Sequence, residues 1–204
     1  MRTYEEKIQS LENFIATESA KIGRACGECS LCCKLLPIKK GEGDNGFAKP
    51  ANEWCKHCSV GKGCKIYADR PTACRGFTCM WLCRGDVPEY WYPLKSKMVL
   101  VWVPFIRKTQ PQNALEIHVD PGFPNRWREE PWHSSIREAS QRGLENGTFT
   151  TFLLDGKQRL LILPNKEVVA KGKIGMIRQI GPNEWTVLDG TQEQLDAMAT
   201  EVGR

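Results

Sequence analysis

The chain reads as an α+β protein: a cysteine-rich metal-binding module with little regular structure, packed on a small, mostly antiparallel sheet with flanking helices. Two observations carry this expectation. All ten cysteines fall between Cys26 and Cys83, and the alternation that marks strands begins only after Pro93. The division is therefore expected at residues 1–93, a helix plus the metal module, and 94–204, a sheet with two helices, packed together as one unit. At 204 residues the chain is long enough to bury a core without covalent staples.

Tyr4, Ile8, Leu11, Ile15 and Ile22 recur at helical spacing with Glu, Lys and Gln between them, which predicts an amphipathic helix over residues 3–22. It should end near Gly23 and pack on the cysteine-rich part. Residues 41–52 are rich in breakers and read as a loop, as does the segment from Cys55 to Cys64. A short helix is expected from Pro71, where proline suits a first turn. Helix content in the module should be low, because ligands rather than an apolar face fix its backbone.

Met98 to Val103 and Ala114 to Val119 read as strands, the second closed by Asp120-Pro121-Gly122. Trp132 to Gly143 predicts a helix with a serine cap at Ser134 or Ser135. Phe149 to Leu154 and Arg159 to Leu163 flank Asp155-Gly156, the strongest short-range hairpin signal in the chain. Further strands are expected at Glu167 to Ala170, Ile174 to Ile180 and Glu184 to Leu188, and Thr191 with Gln194 opens a last helix ending near Val202. The second half holds no thiol, no phosphate-cradling glycine loop and no nucleophile–base pair, so its default role is scaffold. Val119 to Arg128, with aromatics and arginines on a loop, is either a binding surface or a packed turn.

The cysteines run Cys26-Gly-Glu-Cys29-Ser-Leu-Cys32-Cys33, then Cys55-Lys-His-Cys58, Cys64, Cys74, Cys79 and Cys83. Two-residue gaps let successive sulfurs of one tight turn converge on a single ion, so this is metal-ligand spacing. No apolar export segment opens the chain and no run of about 18 apolar residues occurs, which points to reduced thiols in the cytoplasm and no membrane span. Residues 24–86 hold eleven Lys and Arg against six acids and so account for the whole net charge of +5. Thiolate sites are anionic, and nearby cations neutralise them. Counter-charge explains this excess better than a phosphate-binding face, although Lys39, Lys40 and Lys49 also suit a solvated surface.

Adjacent side chains such as Cys32 and Cys33 reach a common ion with difficulty. Two metal sites, or one polynuclear site with the pair on different metals, resolve this, and spacing alone does not say which thiol joins which. Cys26, Cys29 and Cys32 also match the first three ligands of the bacterial ferredoxin run, but the fourth position there is Leu36-Pro37.

Cys26-x-x-Cys29-x-x-Cys32-Cys33, Cys58, and Gly63-Cys64-Lys65-Ile66-Tyr67-x-x-Arg70-Pro71-x-x-Cys74-Arg75-x-Phe77-x-Cys79 resemble the CxxCxxCC cysteine-cluster family, bacterial YkgJ-like zinc- or iron-chelating proteins. The resemblance covers residues 24–80. It implies eight metal ligands, Cys26, Cys29, Cys32, Cys33, Cys58, Cys64, Cys74 and Cys79, with Cys55, His57 and Cys83 as departures or additions. A similar cluster occurs in flagellin lysine methylases, which implies a protein-modifying context, but residues 94–204 carry no cofactor-binding methyltransferase signature.

The expected function is metal binding through thiolates. Zinc is favoured because eight thiols fill two closed tetrahedral shells, which leave no open position for catalysis. An iron–sulfur protein with a redox or protein-modification role is the alternative, and a zinc-dependent nucleic-acid or protein adaptor the third. His118 and His133 read as packing or surface residues. Arg70 and Arg75 read either as donors to the thiolates or as ordinary ion pairs, and Tyr67 and Phe77 as the core beneath the site.

Overall fold

Thr3 begins the first helix by a reciprocal cap. Its hydroxyl accepts from the Glu6 amide at 3.2 Å, and the Glu6 carboxylate accepts from the Thr3 amide at 2.7 Å. Helix α1 (Tyr4–Ile22) then runs to Gly23, whose φ of 70° closes it in the left-handed conformation. The computed structural model describes residues 3–41, 46–107, 110–170 and 176–188. The expected last helix at Thr191 to Val202 lies outside the described residues, as does the start of the strand expected at Ile174.

Three single-turn helices, α2 (Cys32–Leu35), α3 (Thr72–Arg75) and α4 (Met80–Cys83), are the only α-helices among the described residues of the cysteine-rich segment. The segment from Cys55 to Cys64 is not all loop. A two-residue hairpin, β1 (Cys58–Ser59) with β2 (Gly63–Cys64), sets Cys58 opposite Cys64. After it, α5 (Pro93–Ser96) leads into a five-stranded sheet.

That sheet has the order β3 (Met98–Arg107), β4 (Gln110–Val119), β5 (Phe149–Leu154), β6 (Arg159–Ile162), β7 (Glu167–Val169). All its pairings are antiparallel except β4 with β5. Helix α6 (Trp132–Glu145) makes the crossover that a parallel pair requires. The chain is therefore α+β with a mixed, mainly antiparallel sheet. A separate hairpin joins β8 (Met176–Gly181) to β9 (Glu184–Leu188).

Alternation along the strands sends side chains to two faces. On one face Met98, Leu100, Leu115, Ile117, Leu153, Leu160 and Ile162 form the main core with Ile136 and Trp132 of α6 and with Trp81, Val87 and Trp91. On the other, Ala114, Phe152 and Leu161 pack with Trp185 of β9, and Val99 packs with Leu31 and Leu35 beneath the cysteines. The cysteine module thus reaches both faces: Leu31 and Leu35 pack on Val99 on the face opposite α6, and Trp81 of α4 enters the core that α6 covers.

The expected serine cap of α6 is not formed. Pro131 is the capping residue and makes no side-chain bond to the helix. Ser134 donates instead to the Glu130 carboxylate at 2.9 Å, and the Ser135 hydroxyl pairs with that of Tyr90 at 2.6 Å. In the Val119 to Arg128 loop Trp127 is packed, at 2% exposed, as the packed-turn reading expects, whereas Phe123 is 48% exposed.

Candidate metal centre

Helix α1 is held against the module by Glu12. Its carboxylate accepts from Arg75 at 2.9 Å and from Arg70 at 3.2 Å, so both arginines make ion pairs with the helix. The hydrogen bond from Arg75, followed by the positive charges of both guanidiniums, holds the Glu12 carboxyl below its ordinary range. The face of α1 turned to the module carries Gln9, Glu12, Asn13, Ile15, Ala16 and Ser19. Leu11, expected on that face, is 36% exposed.

Arg24 ties the start of the module to its end. One terminal nitrogen donates to Trp81 O at 2.7 Å and Arg84 O at 2.9 Å, and the other donates to Val87 O at 2.7 Å. Lys49, read from the sequence as a candidate for solvated surface, is buried. Its ammonium donates to Lys34 O at 3.1 Å and to Pro50 O and Glu53 O at 2.8 Å each. Burial lowers its pKa, and the thiols of Cys55 and Cys33 oppose that shift. Lys39 and Lys40 are exposed as expected.

Inside this frame lies a cavity of about 920 Å³. Cys26, Cys29, Cys32, Cys33, Cys55, Cys64, Cys74 and Cys79 all line it, with His57, Phe77, Tyr92 and Val99. Of the eight cysteines that the motif implies, seven are on this wall. Cys58 is not, and Cys55 is. Cys83 also lies off the wall, near the Cys79 carbonyl at 3.7 Å. All ten cysteines are free thiols. The thiols are spread around the cavity: among the described residues no three His, Cys, Asp or Glu side chains gather where one ion could be held.

Burial dominates the thiol electrostatics, since it disfavours the thiolate. It pushes Cys79 up to about 12 and Cys74 to about 11, and it raises Cys26 and Cys29. Cys32 and Cys33 move apart. The Cys32 thiol donates to Cys33, which raises Cys32 and brings Cys33 down to about 6, helped by a hydrogen bond from Cys58 and by the Lys49 charge. Thiols this buried ionise readily only beside a cation, so a wall with eight sulfurs suits a soft metal.

Phe77 fills the small core below the cysteines as expected. Tyr67 does not: it is 57% exposed, with the Arg70 guanidinium 4.0 Å from its ring centre. His57 packs 5.6 Å from the Phe47 ring, His118 lies 3.4 Å from Glu116, and His133 lies 3.8 Å from Glu130. Among the described residues no helix is long and apolar enough to cross a membrane. Comparison of the chain with family models, curated proteins and solved structures finds no match, so the resemblance to the cysteine-cluster family rests on the motif residues themselves.

Proposed function

We propose that this protein binds metal through its cysteine thiolates, and that what it binds is an iron–sulfur group rather than isolated zinc ions. One observation carries the choice: eight thiols line a single cavity of about 920 Å³, room for a body larger than one ion. A zinc ion in a sulfur tetrahedron draws its four sulfurs to within about 3.8 Å of one another, given a Zn–S bond of about 2.3 Å. An iron–sulfur cluster takes its thiolates on the outside of a larger body, each on its own iron. The residues on the wall suit such a body in number and softness.

When bound, an iron–sulfur cluster accepts and releases single electrons. The chain itself supplies burial, through Val99, Phe77 and the inner face of α1, and positive charge, through Lys49, Arg70 and Arg75. Those features tune potential and exclude water. The role that follows is electron transfer to, or support of, a partner enzyme. A reducing compartment such as the cytoplasm suits ten free thiols. Zinc is the second reading, favoured by the tight Cys55–Cys58 turn, in which the Cys58 amide bonds Cys55 O at 2.9 Å.

The test is iron, zinc and acid-labile sulfide analysis, with an absorbance spectrum, on protein purified without oxygen. Iron with matching sulfide and a band near about 400 nm that bleaches with dithionite is the expected result. Colourless protein with stoichiometric zinc and no sulfide would overturn the iron–sulfur assignment.

A further inference from the structure

Helix α1 is placed differently from α6. Helix α6 presses Trp132 and Ile136 into the main core, whereas no described residue of α1 is buried and none belongs to an apolar cluster. A helix normally owes its place to an apolar stripe set against a core. Beneath the inner face of α1 lies the cavity instead, bordered by Glu12, Ile15, Ala16 and Ser19 together with Cys74 and Cys79.

The attachments of α1 are uneven along its length. At the C-terminal end Ile22 lies 3.5 Å from where a Cβ on Gly85 would stand, and Arg24 is bolted to the carbonyls of Trp81, Arg84 and Val87. Gly23 lies between that bolt and the helix, in the left-handed region, with nothing within 4 Å of the place a Cβ would take, so no neighbour resists its turning. Ahead of Ile22, Glu12 is the one described side chain of α1 that bonds outside the helix, through Arg70 and Arg75. Arg75 closes α3, the turn that also carries Cys74, so the tie to the helix and a thiol beneath it share one element. Residues that both line the cavity and stand exposed mark its mouth. They include Gln9, Asn13 and Ala16 on α1, with Cys26, Lys62 and Tyr67.

We infer that α1 is a hinged cover, which swings about Gly23 and widens the mouth over Cys74 and Cys79 when Glu12 releases Arg70 and Arg75. Metal then reaches and leaves the thiols at a rate set by this latch. That consequence rests on the metal-binding function proposed above, while the swing rests on the helix and its ties alone.

The test follows release of bound metal to excess EDTA from full-length wild type, Glu12→Gln and Glu12→Lys, with Glu138→Gln, at an exposed position of α6, as control. E12Q should release roughly tenfold faster, the effect of losing charge-assisted hydrogen bonds. E12K should be faster still, since it sets a cation against two arginines, and E138Q should match the wild type. Hydrogen exchange on the same proteins should show protection lost in α1 and kept in α2 and the β1–β2 hairpin. Equal release from wild type and both Glu12 variants would overturn the hinged cover. So would protection lost equally in α1, α2 and the hairpin, which would make Glu12 a support of the whole module. Protein that carries no metal when purified would overturn the metal-binding function, and the swing is then read from N-ethylmaleimide labelling. Faster labelling of Cys74 and Cys79 in E12Q, with Cys26 unchanged, supports it, and unchanged labelling of all three overturns it. Should the variants fail to fold, the wild type is measured from about 0.05 to 1 M NaCl, where screening of the partly exposed ion pairs speeds release in the same way. A rate independent of salt would overturn the latch.

Discussion

Lys49 carries three carbonyl oxygens on one ammonium, and those carbonyls belong to the end of α2 and to the strand of chain that leads to Cys55. Removing a charged donor leaves its acceptors without a partner in a place where water has little access, at a cost of about 2–4 kcal/mol. Lys49→Met is accordingly expected to lower the unfolding free energy by that order, read from a lower urea midpoint, and to reduce metal content. An unchanged midpoint would mean that the carbonyls find water instead. No pattern in the sequence announces this residue. A lysine between Ala48 and Pro50 in a polar loop looks solvated, because its burial comes from chain segments that meet only in the fold. The thiol wall was far more legible, since cysteine spacing is itself the chemistry. Its one uncertain point, Cys55 against Cys58, turns on which side of a tight turn faces inward, and spacing does not encode that.

Among the elements, α1 depends on one carboxylate. Glu12 titrates below its ordinary range in the folded chain, so its contribution is complete above the unfolded carboxylate value and is lost as pH falls through the lowered folded value. The gap in urea midpoint between wild type and Glu12→Gln should be widest near neutrality and close in acid; a gap independent of pH would show that the ion pairs do not hold the helix. At the junction of α6 and β5, Gly143 has no room for a side chain. An added Cβ would lie 2.6 Å from Phe149 O and 2.7 Å from its ring. Gly143→Ala should therefore cost about 1–3 kcal/mol, read as a fall in melting temperature. The Asp155-Gly156 hairpin was plain in the sequence because turn chemistry is local. The parallel alignment of β4 with β5 was not, since alternation looks the same whichever way a neighbour runs. The cap of α6 misled for a related reason: Ser134 and Ser135 have the right chemistry but spend it on Glu130 and Tyr90.

For the whole molecule, two kinds of stabilisation sit side by side. The sheet and α6 build a large apolar core into which the cysteine module sends Trp81, whereas the buried cluster beneath the thiols is small, Leu31, Leu35 and Val99. With metal bound as proposed, its removal should therefore loosen residues 24–79 first, because a site made of turns draws its folding free energy from the ion. Hydrogen exchange is expected to show lost protection there and retained protection in β3 to β6. Equal loss in both would mean that the two parts unfold as one.

Arg24 adds a property of a different sort. Its three carbonyl bonds bring together chain positions about sixty residues apart, so the module is a loop already fastened at its neck. Val60, Gly61 and Lys62, at the tip of the small hairpin, are exposed. A single proteolytic cut after Lys62 should leave two fragments that migrate as one particle until denaturant or metal removal parts them. The covalent continuity of the chain at that tip is then dispensable, and a reporter peptide could be spliced in there with the module still folded.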